Sequence, residues 1–210
     1  MSIRSYDSSR RQQAAAASRE AMVEAGRSLF IERGYAATTV ADIAEAAGVA
    51  SATVNAAFGG KAGLLKRVVD VAVAGDDMPV PLAERDVVHN IAAETDPHEQ
   101  CRMLAELVTD VHERLGPLQD VLQQAAGADQ QVRTQLEQEQ RGRREGMAQF
   151  VASISPGALR AGLTPDRAAD AVWALTDPRV YVGLVIERGW ARHEFEQWLA
   201  RQLSSALLVG

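Results

Sequence analysis

Thr39-Val40-Ala41-Asp42-Ile43-Ala44-Glu45-Ala46-Ala47-Gly48-Val49-Ala50-Ser51-Ala52-Thr53-Val54-Asn55-Ala56-Ala57-Phe58 is the segment on which the reading of this chain turns. A threonine followed three positions later by an acid has the form of a capping box, with Asp42 where Glu or Gln is usual. It predicts a short helix from Val40 to Ala47, with Val40, Ile43, Ala44 and Ala47 on its inner face. Gly48 breaks that helix and Val49 anchors the turn. A second short helix is expected from Ser51 to Phe58, stopped by Gly59-Gly60. Two short helices joined by a glycine-containing turn describe a helix-turn-helix, whose second helix lies in the DNA major groove while the first braces on the backbone. Such a helix must be slim where it enters the groove, and Ser51, Ala52, Thr53, Asn55 and Ala56 are all small or short-polar. Periodicity alone fits an ordinary helical hairpin of a bundle about as well.

Outward from this segment the chain reads as helix throughout. Upstream, a helix from near Arg10 to Arg33 carries Met22, Ala25, Leu29 and Phe30 at helical spacing, and Gly34 stands where a C-cap glycine would. Downstream, Lys61 opens a helix with Leu64, Leu65, Val68, Val69 and Ala72 on one face. Gly75-Asp76-Asp77-Met78-Pro79-Val80-Pro81 will not continue it and marks a linker or bend. Two domains are therefore expected, 1–74 and 75–210. In the second, Asp96-Pro97 opens a helix with the stripe Leu104, Leu107, Val111 and Leu115. Gly116-Pro117 separates this from a helix reaching Ala126, and Asp129 is placed to cap a long polar helix running to Ser153. Thr164-Pro165 starts another, which Pro178 must kink or interrupt, and Gly189 precedes a last helix from about Arg192 to Leu208. No strand is expected. The expected fold class is all-α, with a three-helix helix-turn-helix domain and a C-terminal helical domain, about nine to ten helices in all.

Composition agrees. Of 210 residues 47% are hydrophobic but only 5% aromatic, and β-branched residues never alternate. No apolar run approaches the roughly 20 residues needed to span a bilayer, Met1 to Arg19 lacks the apolar core of a signal peptide, and a single cysteine excludes an internal disulfide framework. A cytoplasmic protein without membrane partners is expected. The net charge of −6 opposes nucleic acid, but it is unevenly spread. Residues 1–70 hold nine Lys/Arg against seven Asp/Glu, or +2, and the remainder thirteen against twenty-one, or −8. That asymmetry is a mild pointer to a polyanion-binding N-terminal end. Arg10, Arg11 and Arg19 could grip the DNA backbone or minor groove from there.

The stretch Gly34 to Val49, continued by Thr53-Val54, Phe58-Gly59-Gly60-Lys61 and Leu64-Leu65, resembles the TetR-family signature of bacterial transcriptional regulators over roughly residues 18 to 70 without a gap. The resemblance implies roles for matching positions. Thr39 and its N–H stand at a helix N-terminus, a ready phosphate site, and Thr53 and Lys61 fall where the family contacts phosphates. Ser51, Ala52 and Asn55 fall on the recognition face, where Asn can pair with adenine through two hydrogen bonds. The chain departs from the family at Asn55, often Tyr, and at Ala56 and Ala57, often aromatic or His. Ala50 replaces the frequent serine cap, so Ser51 is expected to cap instead. With no Arg or Lys between Ser51 and Ala57, phosphate contacts must supply most of the affinity.

Val172-Trp173-Ala174-Leu175, Pro178 to Tyr181, Glu187 to Trp190 and Phe195 to Leu199 look like a C-terminal domain of many actinobacterial members of that family. The resemblance implies a homodimer made by the last two helices, with Tyr181, Leu184, Val185, Phe195, Trp198, Leu199 and Leu203 at the interface. The plainer alternative is intrachain core. It also implies a palindromic operator and an effector that alters the spacing of two reading heads, with the Lys61 helix as lever. An apolar small-molecule effector would be lined by Met103, Leu107, Val111, Leu122, Met147, Phe150 and Trp173, unless these too are plain core. His112 could add a polar contact, and Arg141, Arg143 and Arg144 are expected to solvate a helix face. No metal-ligand spacing, nucleophile–base pair or phosphate-cradling glycine loop is present, so no metal, cofactor or enzymatic activity is expected. Because the recognition face is sparse, a helical ligand-binding or scaffold protein that has lost specific DNA binding is the alternative function.

Overall fold

A computed structural model describes the backbone of residues 3–78 and 80–209 and the side chains of residues 13–78 and 80–209. The described residues form helices α1 (Ile3–Ala37), α2 (Val40–Ala46), α3 (Ser51–Phe58), α4 (Lys61–Ala74), α5 (Asp86–Ala93) and α6 (Pro97–Leu115). These are followed by α7 (Gln119–Ala128), α8 (Gln130–Ser153), α9 (Pro165–Leu175), α10 (Pro178–Tyr181) and α11 (Arg192–Leu207). The only extended pairing among them is an isolated bridge between Leu159 and Leu208. No helix of the described residues is long and apolar enough to cross a membrane. The all-helical expectation holds. The sequence reading passed over α5, a short helix without a strong start signal, and began α1 later than the structure does.

The chain divides into two compact units, residues 1–71 with 120–135, and residues 72–119 with 136–210. In the first, Met22, Leu29 and Phe30 of α1, Ile43 of α2, Val54 of α3, and Leu64, Leu65 and Val68 of α4 are all buried. In α1 and α4 the buried positions recur one or two helical turns apart, which puts each set on one helix face. Gly34 takes φ 78°, so the chain leaves the α1 helix there. Buried Thr38 then directs its hydroxyl at the carbonyl oxygens of Gly34 (2.8 Å) and Leu29 (3.2 Å). Thr39 makes the expected capping box with Asp42. At α3 the cap is weaker than foreseen, because neither Ala50 nor Ser51 supplies a side-chain hydrogen bond. Gly59, at φ 72°, ends α3 in the left-handed conformation that glycine adopts without steric cost.

In the second unit α6 and α11 form the main packed pair. Cys101, Leu104 and Ala105 of α6 meet Phe195, Leu199, Leu203 and Leu207 of α11, with Ala168, Ala169 and Val172 of α9 beside them. Asp96 caps α6 by accepting from the His98 N–H at 2.9 Å, with Pro97 at the first position. Asp177 does the same for α10, accepting from Arg179 N–H at 2.9 Å. Pro178 thus interrupts the helical run as expected, and α10 continues into a π-helical turn, Val182–Glu187, that ends before Gly189. Cys101 is fully buried, and burial pushes its thiol pKa up to about 11.

One close approach fixes the α3–α4 corner. A Cβ on Gly63 would lie 1.8 Å from the Phe58 carbonyl oxygen, so only glycine fits unless the backbone moves. Gly63→Ala is expected to lower the stability of the chain by about 1–3 kcal/mol, the usual range for forced overpacking. Urea denaturation checks this, and an unchanged midpoint would show that the corner relaxes freely.

Candidate nucleic-acid interface and a buried polar cluster

The surface that α3 presents is small and uncharged. Val54 is its buried anchor, while Ser51, Ala52, Thr53, Asn55 and Ala56 are exposed together. The structure therefore gathers four of the predicted contacts, Ser51, Ala52, Thr53 and Asn55, on one helix. Thr39 is exposed too, but its hydrogen-bonding groups are engaged. Its N–H donates to Asp42 Oδ2 at 2.8 Å, and its hydroxyl both donates to that oxygen (2.6 Å) and accepts from Asp42 N–H (3.1 Å). These bonds hold the Asp42 carboxyl below the usual carboxylate range. A phosphate at this helix start would meet a carboxylate already in possession of the Thr39 N–H.

Lys61 is likewise committed within the subunit. Its ammonium donates to the carbonyls of Tyr35 (2.8 Å) and Thr38 (2.9 Å) and sits 4.1 Å from the Tyr35 ring centroid. Three acceptors hold this cation where the family resemblance placed a phosphate contact. Arg19 stacks over the Phe58 ring at 4.7 Å and points one guanidinium nitrogen at the Ala57 carbonyl, bracing the end of α3. The side chains of Arg10 and Arg11 lie outside the described residues. Tyr35 and Thr38 were missed by the sequence reading. Tyr35 closes a chain of contacts, since its hydroxyl donates to Asp129 Oδ2 at 2.7 Å while Asp129 also caps α8 through Gln131 N–H. The expected cap at Asp129 is present, and the tyrosine that reads it could have been suspected only from its place just after a C-cap glycine.

In the second unit, the expected effector-lining residues are mostly packed rather than open. Phe150 and Val111 are buried, and Met103, Leu107 and Met147 are half-buried against the core. Leu122 is buried in the first unit. A depression of about 490 Å³ elsewhere is lined by His98, Arg160, Arg201 and Ser204, among others. The predicted dimer residues divide by depth. Phe195, Leu199 and Leu203 are fully buried within the subunit, and Tyr181 packs edge-on against Phe195 with ring centroids 5.0 Å apart. Trp198, Leu184 and Val185 are half-buried, Trp198 in a T-shaped pair with Trp190, and Ile186 beside them is 52% exposed. Side chains with no exposed area support such a face from beneath rather than forming it.

Polar chemistry collects at the C-terminal end of α9. Arg143, expected to solvate a helix face, instead lies with its side chain only 18% exposed. The last carbonyls of a helix lack partners of their own, and Arg143 Nη1 donates to Trp173 O (2.7 Å) and Thr176 O (3.3 Å) while the guanidinium stacks on the Trp173 ring at 4.6 Å. His112, on α6, reaches the same Thr176 oxygen through Nε2 at 3.0 Å. Asp177 Oδ2 is 3.7 Å from Arg143 Nη2, but both its oxygens accept from Arg179, at 3.0 and 3.1 Å. Burial lowers the His112 pKa to about 4.

Residues 22–68 match the family model for bacterial regulatory proteins, tetR family. Solved structures of similar fold include NalD of Pseudomonas aeruginosa, described as the secondary repressor of a multidrug efflux pump, at TM-score 0.69 and 21% identity over 93% of this chain and 98% of that one. SmeT of Stenotrophomonas maltophilia, repressor of another multidrug efflux pump, aligns at TM-score 0.64 and 17% identity over 91% and 90%. FadR of Bacillus halodurans, a fatty acid degradation regulator, aligns at 0.64 and 17% over 88% and 93%. At these identities the likeness shows the fold. No curated protein sequence is similar enough to count as a relative.

The imidazole of His112 makes stability depend on pH. Its folded pKa of about 4 lies below the roughly 6.5 of an exposed histidine. Between these values the unfolded chain binds a proton that the folded chain excludes. The contribution is complete above about pH 6.5 and is lost as pH falls toward 4. A His112→Phe variant should therefore lose less stability between pH 7 and pH 5 than the parent does. Denaturation midpoints at the two values measure it, and an identical pH slope would contradict the assignment.

Proposed function

We propose, from the match of residues 22–68 to the family model for bacterial regulatory proteins, tetR family, that the chain is a member of that family and a homodimeric, sequence-specific DNA-binding regulator of transcription. The observation that carries this reading is the exposed face of α3, a slim helix held out by Val54, Arg19 and the α1–α2–α4 core. A helix so presented fits a major groove. Asn55 is its only side chain able to pair through two hydrogen bonds with one base. Ser51 and Thr53 supply hydroxyls to phosphate or base edges. A two-fold dimer carrying two such helices reads a palindrome whose half-sites lie about one helical turn or a multiple apart. The half-buried Trp198, Leu184 and Val185 with exposed Ile186 provide the apolar surface for the second copy. NalD and SmeT are repressors by description, and repression is the reading adopted for this chain.

Release by a small molecule requires an element that senses the second unit and moves the reading head. The end of α4 is gripped by Arg114 of α6, whose guanidinium donates to the carbonyls of Ala72 (2.7 Å) and Val73 (3.4 Å). A ligand that binds one position of α6 better than another shifts α4 through this grip, and only by its differential affinity for the two positions. One feature favours the alternative of a ligand-binding or scaffold protein without specific DNA binding, namely the lack of any charge on α3 together with the engaged Thr39 and Lys61.

Selection of bound sequences from a random DNA pool separates the two. A palindromic consensus supports the regulator, and no enrichment over random DNA rejects it. On the selected site, Asn55→Ala is expected to cost about 1–3 kcal/mol and to relax preference at one base pair per half-site. Thr53→Ala should weaken binding to all sequences alike and leave the slope of the salt dependence unchanged, because a neutral hydroxyl displaces no counterion. Fluorescence anisotropy across a salt series measures both. Arg114→Gln should leave DNA affinity within about threefold but blunt release by effector, read in the same assay.

A further inference from the structure

A depression of about 490 Å³ opens on the second unit, where the C-terminal half of α11 passes the start of α6. Its polar lining is Arg160, Arg201, His98, Ser204 and Ser205, with no carboxylate among its described lining residues. Residues 71–210 together carry −8, so a cationic wall runs against the local trend. We propose that this depression binds a small organic phosphate monoester. Its phosphate oxygens accept from the two guanidinium groups, the His98 ring and the serine hydroxyls, and its carbon body rests on Ala200 and Leu208. The proposal does not depend on the DNA-binding reading.

Backbone pairing brings these groups together. Arg160 N–H donates to Leu207 O at 2.8 Å, Val209 N–H donates to Ala158 O at 3.1 Å, and Leu159 bridges Leu208. Arg160 is thereby pinned beside the end of α11, and its Nη2 donates to the Ser205 carbonyl. Arg201 and Ser205 lie one turn apart on one side of α11, so both guanidinium groups border the last two turns of that helix. The opposite wall is held in place by Cys101, which hydrogen-bonds to the Ser204 side chain one turn along α6 from His98. With the thiol protonated, its S–H donates to Ser204 Oγ and leaves the serine O–H for a ligand.

The charges at this site are not neutralised. Arg201 and the His98 ring make no ion pair or side-chain hydrogen bond among the described residues. No acid lies within four residues of Arg160 or Arg201 in the chain. The acids flanking His98 are engaged elsewhere, Asp96 as the cap of α6 and Glu99 on Arg102. Arg160 gives its side-chain bond to a neutral carbonyl, which leaves its charge uncompensated. Two fixed positive charges with surplus donors match a phosphate monoester, close to a dianion at neutral pH with three acceptor oxygens. A carboxylate would leave one charge unmatched. The C-terminal end of a helix repels anions, but the Ser204, Ser205 and Leu207 carbonyls already accept from Leu208 N–H, Arg160 Nη2 and Arg160 N–H. His98, Arg160, Arg201 and Ser205 are exposed, so a ligand reaches them without any rearrangement. Half-buried Ala200, buried Leu208 and Val209, 56% exposed, supply apolar contact for the carbon body.

Isothermal titration of the full chain without DNA tests this at a pH of about 8, where the phosphate is a dianion. Phenyl phosphate should bind. Phenyl sulfate, of the same shape with one charge fewer, should bind roughly tenfold more weakly. Inorganic phosphate, lacking the ring, should be roughly three- to tenfold weaker. Arg201→Gln should weaken phenyl phosphate roughly ten- to a hundredfold at an unchanged melting temperature. Arg141→Gln, at an exposed arginine outside the depression, should leave it within about twofold. No binding of phenyl phosphate, equal binding of phenyl sulfate, or an affinity that survives Arg201→Gln or falls as far in Arg141→Gln overturns the proposal. DNA affinity is measured separately on the same variants and should not change with Arg201→Gln. Loss of DNA binding in that variant, with no binding of phenyl phosphate by the parent, assigns the arginine to the DNA backbone and also overturns it.

Discussion

Lys61 places one ammonium between the carbonyls of Tyr35 and Thr38, over the face of the Tyr35 ring. Those carbonyls belong to the turn that follows the α1 break at Gly34, so a residue at the start of α4 holds the end of α1 and the entry to α2 together. An ammonium desolvated against two carbonyl dipoles and a π-face is a directional tie, unlike the apolar contacts around it. It orders Tyr35, and Tyr35 in turn donates to Asp129, the cap of α8. The position of α3 depends on this tie, because α3 is only eight residues long and hangs between two turns. Its own buried anchor is the single side chain Val54.

Local punctuation made much of this fold legible. The Thr39–Asp42 box, Gly34, Gly59, Asp96-Pro97, Asp129 and Pro178 each act through their own backbone neighbours, so sequence spacing is enough to read them. The missed helix, α5, has no such signal. The sites were less readable because the decisive partners are distant in sequence. Nothing near Arg143 shows that the C-terminal carbonyls of α9, thirty residues on, will draw it inward. Lys61 was assigned by resemblance to a phosphate, and twenty-six residues separate it from the carbonyl of Tyr35 that it serves. Helical spacing gathered Phe195, Leu199 and Leu203 correctly onto one face, but spacing does not say whether that face meets its own subunit or another.

The two halves of the molecule thus use polar groups differently. In the first unit Thr38, Thr39, Lys61 and Asp129 are all bonded within it, framing an exposed, neutral helix. A frame of this kind suits recognition by shape and by dimer spacing more than by charge. In the second unit, the packed α6–α11 core surrounds a cluster whose hydrogen-bonding capacity is only partly used.

Cys101 carries a last consequence. Packed at the α6–α11 contact with no exposed surface and a thiol pKa of about 11, it holds roughly one part in ten thousand as thiolate at neutral pH. The thiolate is the nucleophile toward peroxide, electrophiles and glutathione disulfide alike, and these must reach it first. The sole sulfhydryl of this chain is chemically silent while the second unit stays folded. Its modification by an alkylating reagent therefore works as a clock for local opening between α6 and α11, with no reporter group to be introduced.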